Sequence, residues 1–311
     1  KRNGEKRSNP CSVSESLLNL LSKMISNLNS GGLRSKGILK EDLVEKNKPL
    51  ISVITVVYNN RQFIERCISS VLNQTYDNVE YIVLDGLSTD GTVEIIQKYD
   101  NKLDFWLSEK DEGIYDAINK GIKLANGFTL MLHSDDFLND NDTLSNVAKK
   151  IKNKNHIYFG SVKNYNELVE WFYPKVNLEL DQSWLVNNPI PHQSVFIFHK
   201  LHKNYLFDQK KLSMGNDRLI LTQLSRKYEV IFINELITCV QLGGDSNNWK
   251  NLRKVFDYNH QHLAVDNMLG INNSLRKIMY LYITTIIKFF IFKCFGRKTF
   301  YKFFYKKYLK V

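Results

Sequence analysis

Two textures alternate between residues 50 and 136. "LISVITVVY" (Leu50–Tyr58) is an apolar, β-branched run without polar alternation, which predicts a strand buried on both faces of a parallel sheet. "RQFIERCISSVLNQ" follows, and its Phe63, Ile64, Cys67, Ile68, Val71 and Leu72 fall on one face of a helix. The order then repeats: "VEYIVLDG" as strand, "GTVEIIQKYD" as helix, "LDFWLSE" as strand, "GIYDAINKGIKLANG" as helix and "FTLMLHSDD" as strand. This alternation predicts βαβ units in a doubly wound sheet. Ligands in such sheets bind beyond the carboxyl ends of the strands. Three strands end there on polar sets, "YNN" at 58–60, "DGLSTDGT" at 85–92 and "HSDD" at 133–136, so the site is expected among them.

Outside this stretch the pattern changes. Leu17, Leu18, Leu20, Leu21, Met24, Ile25 and Leu28 form an apolar stripe within residues 1–48, predicting an amphipathic helix that ends before "NSGG". Beyond residue 155, strands ("HIYFGSVKNY", "SVFIFHK", "YEVIFIN") mix with helix ("DRLILTQLSRKY") and suggest a second half that completes the site. From Ile271 onward, apolar and aromatic clusters alternate with lysines.

Charge sharpens the reading of that tail. The 311-residue chain carries a formal net charge of +11, and ten Lys and Arg with no Asp or Glu lie between Ile271 and Val311. A localised basic tail suggests an anionic surface, either membrane or nucleic acid. Its aromatics cluster with aliphatics instead of forming a spaced stacking platform, which argues against nucleic acid. "IMYLYITTII" is its longest uncharged run, and Lys288 interrupts it short of the ~20 residues that span a bilayer. Lysines flanking Phe and Tyr fit a helix lying in the interface of an anionic membrane. A solvated basic helix packed on the domain is the plainer alternative. Cys11, Cys67, Cys239 and Cys294 are far apart and form no CxxC or Cys/His pattern, so reduced thiols are expected, without a disulfide framework or a zinc site.

Asp135 and Asp136 carry the sharpest chemical question. Adjacent carboxylates repel, and both are costly to desolvate unless something positive sits with them. A strand end with a helix N-cap in the following loop would account for them, and so would a divalent cation. Mg²⁺ and Mn²⁺ take oxygen ligands, typically one or two carboxylates with substrate phosphates and waters. His133 would point to the same side of an extended strand as Asp135. "DGLSTDGT" is open in the same way. Asp85 and Asp90 could accept hydrogen bonds from ribose hydroxyls or a base N–H, or the segment could be a plain β-to-α turn. No GxGxxG or GxxxxGK[ST] follows any strand, which speaks against a Rossmann dinucleotide site and a P-loop.

Taken in order, "SVITVVYNN…FIERCISSVLNQTY…EYIVLDGLSTDGT…EKDEGIYDAINKGIKLANG…LMLHSDD" resembles the nucleotide-sugar-binding half of inverting family 2 glycosyltransferases of the GT-A fold. "PHQSVFI", "MGNDRLILTQL" and "QLGGDS" extend the likeness to about residue 246. "SEKDEGIYDAINKGIKLANG" is similar to bacterial enzymes that assemble O-antigen, capsule and exopolysaccharide repeat units. The resemblance implies an α/β GT-A domain at 49–246, a Rossmann-like mixed sheet flanked by helices. Its nucleotide-sugar half would be 49–140 and its acceptor half 141–246. An N-terminal extension (1–48) and a basic, helical, membrane-associating segment (247–311) would flank it.

Residue by residue, the resemblance implies that Thr55, Val57 and Tyr58 line the base pocket, with Tyr58 stacking on the base. Asp85 would bind the nucleobase with Asp90 in the same turn, and Asp111, Gly113, Asp116 and Asn119 would run beneath the ribose and sugar. Asp135 matches the acid that binds Mn²⁺ or Mg²⁺, with His133, Ser134 and Asp136 as its donor-binding neighbours. His133 stands where the family usually shows an acid or amide. Asp217 matches the catalytic base that opens a helix beneath the acceptor, although Asp is also a favoured N-cap. His192 and Gln193 of "PHQS" fall at a loop-to-strand junction, in acceptor or diphosphate contact.

The function implied is metal-dependent, inverting transfer of a sugar from a UDP- or GDP-linked donor to a hydroxyl of a polyprenyl-diphosphate-linked glycan. It would take place at the cytoplasmic face of the bacterial inner membrane, where the basic tail would hold the protein peripherally. A homodimer is one state the sequence allows. The alternative is a non-catalytic, membrane-associated assembly subunit that kept the nucleotide fold, motivated by His133.

Overall fold

Every strand and helix expected between Leu50 and Asp136 forms. The computed structural model describes residues 29–40, 47–177, 180, 188–208, 210–213, 215–242 and 252–306. The apolar stripe at 17–28, Cys11 and the glycine pair of "QLGGDS" lie outside them. The first half runs β1 (Asn29–Gly31), β2 (Ile51–Val57), α1 (Ile64–Leu72), β3 (Val79–Asp85), α2 (Thr92–Lys98), β4 (Phe105–Ser108), α3 (Ile114–Leu124) and β5 (Phe128–Met131). The second half runs β6 (Phe137–Leu138), α4 (Thr143–Lys150), β7 (Ile157–Tyr165), β8 (Glu170–Tyr173), β9 (Val195–Phe198), α5 (His199–His202), α6 (Asn216–Ser225) and β10 (Val230–Gln241). Two helices close the described chain, α7 (Leu252–Met268) and α8 (Leu275–Phe304).

The strands form one mixed sheet in the order β1-β4-β3-β2-β5-β9-β7-β10-β6, with β8 on β7. β4, β3, β2 and β5 are mutually parallel, whereas β9 runs antiparallel to both β5 and β7. The chain leaves β2 in one direction, through β3 to β4, and returns to the other side of β2 as β5. The strand order therefore reverses between β2 and β5, and this switch point is where an open α/β sheet leaves a crevice for ligand. Tyr58–Asn60 and His133–Asp136 both emerge there.

Because side chains alternate along a strand, β2 feeds two cores. Val53 and Val57 pack with Ile64, Cys67, Ile68 and Val71 of α1 and Ile96 of α2. Ile54 and Val56 pack with Ile118 and Ile122 of α3 and Ile220 and Leu224 of α6. This two-sided burial is what the unalternating apolar run encodes. α3 lies close to β2 because residue 121 is glycine; a Cβ there would sit 2.3 Å from Ile54 Cγ2.

Residues before Pro49 also belong to the sheet. β1 pairs antiparallel with β4, and Arg34 reaches the buried Glu80 of β3, which also accepts from Ser52 Oγ and from Asn126. At the other end, Asn259 of α7 donates to the buried Thr285 of α8 at 2.6 Å. Non-helical backbone at Gly296 (φ 75°, ψ 173°) kinks α8, and Phe300 and Tyr301 beyond it pack with Val169 and Leu242. The tail departs from expectation in one respect. Lys288 does not leave α8 too short: by length and composition it could cross a membrane, with a mean hydropathy of 1.7 over its best window. One lysine is tolerated in such a stretch because its long stem lets the charge snorkel.

Candidate active site

β2 ends at Val57 and leads into Tyr58, and its last inward residues are packed in the core. Thr55 is fully buried, 3.1 Å from the Tyr81 hydroxyl and 3.6 Å from Cys67 Sγ, and Val57 lies in the core beside α1. Tyr58 is 66% exposed. Its ring borders Gly86, where an added Cβ would lie 3.4 Å from Tyr58 Cδ2 and 2.7 Å from Asp111 Oδ2. Tyr58, Gly86 and Asp111 thus frame a slot with an aromatic face on one side and a carboxylate on the other.

The β3 end is held by side-chain bonds to its own backbone. Asp85 is buried and accepts from Ser88 N at 2.9 Å, from Ser88 Oγ, and from Ser108 Oγ at 2.6 Å. These bonds pin Leu87 at φ 65°, a conformation unusual for a leucine, beside the slot. Asn59, at φ 47°, accepts from Thr89 N, and Asp90 accepts from Arg61 N and from Thr92. An open cleft of about 540 Å³ borders Asn59, Asn60, Arg61, Gln62 and Asp90 between the two strand ends.

The 111–119 segment divides. Asp111 Oδ1 accepts from Gly113 N at 2.9 Å at the start of α3, and Asp116 shares Lys120 with Glu109. Asn119 is turned away from the slot: its amide bonds both the N–H and the C=O of Phe207. It ties α3 to the loop before α6, where Phe207 stacks on Tyr115 with ring centroids 5.1 Å apart.

Across the crevice, Ser134 accepts from Asn60 Nδ2 at 2.7 Å, joining the β2 and β5 ends. Burial pushes the Asp136 carboxyl well up, and Asp135 beside it pushes further, against the bond that Gln241 N donates to Asp136 Oδ1 at 3.0 Å. Asp135 is half-buried and also raised, by burial first. No described side chain hydrogen-bonds its carboxylate. The nearby cation is Arg66 of α1, which donates to the Asp135 carbonyl at 2.7 Å and lies over the Phe137 ring. Among the described residues no three His, Cys, Asp or Glu are grouped to hold an ion. The donor set therefore fits Mg²⁺ or Mn²⁺ of the kind bound by a carboxylate and completed by substrate phosphate and water, not an all-protein cage.

A second chain of polar groups faces this one. His133 Nε2 is 2.9 Å from His192 Nε2, and His192 Nδ1 is 2.9 Å from Asp217 Oδ2. Gly215 is the N-cap of α6 (φ 82°), so Asp217 is no cap; it sits in the first turn and turns its carboxylate to His192. Burial works to raise the Asp217 carboxyl, but the charge and hydrogen bond of His192 and the backbone N–H groups of Arg218 and Asp217 outweigh it and hold it at about 2. Burial, then the charge of His192, pushes His133 down to about 3. The turn carrying His192 is anchored by Ser194 Oγ on the Gly160 carbonyl and by Thr238 Oγ1 on the Gln193 carbonyl. The Gln193 side chain has no described role.

The model of the family described as glycosyl transferase family 2 matches residues 52–233, from the start of β2 into β10. The chain belongs to that family. Among its relatives, glycosyltransferase GlyG of Streptococcus pneumoniae is 29% identical over 207 residues, 60% of this chain and 68% of GlyG. A Bacillus subtilis glycosyltransferase named for teichuronic acid biosynthesis, TuaG, is 42% identical over 93 residues, 29% of this chain and 37% of TuaG. The mannosyltransferase PcManGT from Pyrobaculum calidifontis, solved with GDP-Man and Mn²⁺, superposes with a TM-score of 0.52 at 18% identity, covering 78% of this chain and 70% of that one. At that identity the likeness is one of fold, the GT-A sheet with its flanking helices.

Sequence reasoning passed over Arg66, and it gave no role to Asn60 and Gln241 although both fall inside quoted motifs. A signal existed for Arg66. With Ser70 and Gln74 it forms a polar i, i+4, i+8 row beside the apolar stripe of α1, and these three meet Asp135 O, Leu138 N and Asp140 O.

Proposed function

We propose that the chain is a metal-dependent, inverting glycosyltransferase of bacterial surface polysaccharide synthesis. It moves a sugar from a UDP- or GDP-linked donor to a hydroxyl of a lipid-linked glycan. The observation that carries this reading is the convergence, at one switch point, of three parts: the Tyr58–Gly86–Asp111 slot, the Asp135–Asp136 pair and the His192–Asp217 pair. Membership of the family, the Mn²⁺ and GDP-Man bound by PcManGT, and the biosynthetic name of TuaG support it.

The slot accepts the nucleobase against Tyr58. Asp85, whose oxygens keep lone pairs beyond those used by Ser88 and Ser108, selects its N–H groups. Asp111, Gly113 and Asp116 follow the ribose and sugar, and Asn119 holds the α3 segment in register. Asp135 would hold the ion, with His133, Ser134 and Asp136 around it. Bound there, Mn²⁺ or Mg²⁺ would neutralise charge developing on the leaving diphosphate. The acceptor hydroxyl attacks C1 of the sugar from the face opposite the diphosphate. Its proton passes to the His192–Asp217 pair, the C1–oxygen bond to the diphosphate breaks, and the nucleoside diphosphate departs with the electron pair.

Turnover of a panel of UDP- and GDP-sugars, with a bacterial lipid-linked acceptor extract and Mn²⁺, tests the reading. Wild type is expected to turn over at least one donor, to stop in EDTA, and to fall at least about 100-fold on Asp135→Ala. Turnover that survives both treatments removes the metal from the function. Donor binding without turnover across the whole panel would favour a non-catalytic assembly subunit.

A further inference from the structure

We propose that His192 is the catalytic base, with Nε2 taking the acceptor proton, and that Asp217 is a positioning residue acting through it. The assignment rests on the transferase reading above and divides the labour within its base pair.

The geometry separates the two candidates. Asp217, 2.9 Å from His192 Nδ1, already accepts that contact and the backbone N–H groups at the start of α6. A carboxylate so satisfied is a weak proton acceptor, since those bonds stabilise its charged form. It accepts and cannot donate, so in the neutral His192 ring, the form a base must take, the single proton sits on Nδ1 and the Nε2 lone pair points away from Asp217. The group now at that lone pair, 2.9 Å away, is the Nε2 of His133. His133 lies two residues before Asp135, so His192 Nε2 opens toward the diphosphate end of the crevice while Asp217 stands one ring behind it. A hydroxyl entering beside the sugar meets Nε2 first, in the place His133 Nε2–H occupies.

The charged and titratable groups about His192 are His133 from the β5 end and Asp217 from α6; behind Asp217 lie Arg218 and His262 of α7. When Nε2 gains the acceptor proton, the imidazolium is held by the Asp217 carboxylate. The acceptor oxygen bonds C1 as the diphosphate oxygen leaves it. The anchored His192 turn fixes the ring, as a base must be held within hydrogen-bond reach of its proton.

The test has an arm independent of activity. Nitrogen–proton correlation spectra of the ligand-free protein are expected to show His192 protonated at Nδ1; an Nε2–H tautomer overturns the proposal. Nucleoside diphosphate release from the donor panel with Mn²⁺ is then followed from about pH 4.5 to about pH 8.5. A histidine base loses activity on the acid side of neutrality, whereas a carboxylate base holds to about pH 4. His192→Ala is expected to fall at least about 100-fold and to recover about tenfold with free imidazole. Asp217→Asn keeps an acceptor for Nδ1–H but loses the charge, so it retains measurable turnover with its acid limb moved to lower pH. A flat wild-type profile to pH 4.5, or an Asp217→Asn that is dead beside an active His192→Ala, returns the proton to Asp217. A wild type inactive on the whole panel overturns the transferase reading instead, and the tautomer still decides the geometry.

Discussion

Gly86 is a single position on which donor binding can be made to turn. Its missing side chain lets Tyr58 and Asp111 close in on the backbone, and a Cβ would lie 2.7 Å from Asp111 Oδ2. Asp111 cannot swing away freely because its other oxygen accepts from Gly113 N. Gly86→Ala is therefore expected to displace Asp111 and to weaken nucleotide-sugar binding by about tenfold, some 1.4 kcal/mol, in a protein that still folds but melts at a somewhat lower temperature. Titration calorimetry with the same donors reads this directly, and unaltered affinity would mean that the base lies elsewhere. At this scale the sequence was legible where a motif fixes a residue to a helix start, as with Asp217, and less so at Asp135: β5 stops at Met131, and a turn closed by Asp136 N on the His133 carbonyl at 3.0 Å replaces the extended strand expected through His133 and Asp135. It was not legible where the period-2 alternation of a strand decides. Thr55 and Val57 lie on the α1 side of β2, and only the exposed residue after them, Tyr58, reaches the crevice. The partner of His133 is 59 residues away, and no local pattern announces such a pair.

Elements show the same division. Period and turn chemistry predict α1, α2 and α3 because their apolar faces are written locally. The edge strand β1 went unread because what fixes it is distant: Glu80 is 1% exposed and its cation comes from Arg34. Removing Arg34 leaves a buried carboxylate without its cation. Arg34→Ala is thus expected to cost about 3 kcal/mol, measured by urea unfolding. A loss under about 0.5 kcal/mol would show that Ser52 and Asn126 suffice. His202 of α5 offers a pH reading of the same core. It is 1% exposed, bonds Thr129 Oγ1 at 2.7 Å, and burial pushes it down to about 3. The unfolded chain protonates this histidine near pH 6.5 while the native one does not. Stability therefore falls as pH drops from about 6.5 toward 3, by up to about 1.4 kcal/mol per pH unit. His202→Leu is expected to flatten the slope of unfolding free energy between about pH 4 and 6 by close to one proton, and an unchanged slope would place a proton on native His202.

At the scale of the whole molecule, the exposed face of α8 bears on the proposed membrane attachment. One face of the helix is docked through Thr285 on α7. The opposite face exposes Met279, Tyr280, Ile283, Ile286, Ile287 and Phe290. Arg276 and Lys277 precede this apolar stripe, and Lys293, Arg297 and Lys298 follow it. The arm from Leu275 to Phe295 is ~31 Å long, close to the ~30 Å of bilayer hydrocarbon, so length alone permits spanning. Docking argues for lying flat, because a spanning arm would have to abandon the Asn259–Thr285 bond and its packing on α7. An apolar stripe bracketed by cations is suited to the interface of an anionic bilayer, where each cation near the surface adds about 1 kcal/mol. The protein is expected to sediment with phosphatidylglycerol vesicles, more weakly with phosphatidylcholine, and to be released by about 1 M salt as the surface charge is screened. Ile283→Asp with Phe290→Asp, on the exposed face, should abolish sedimentation without lowering the melting temperature. Retention in high salt would mean that α8 leaves α7 and inserts. Equal binding by the double variant would show that this face of α8 does not make the vesicle contact.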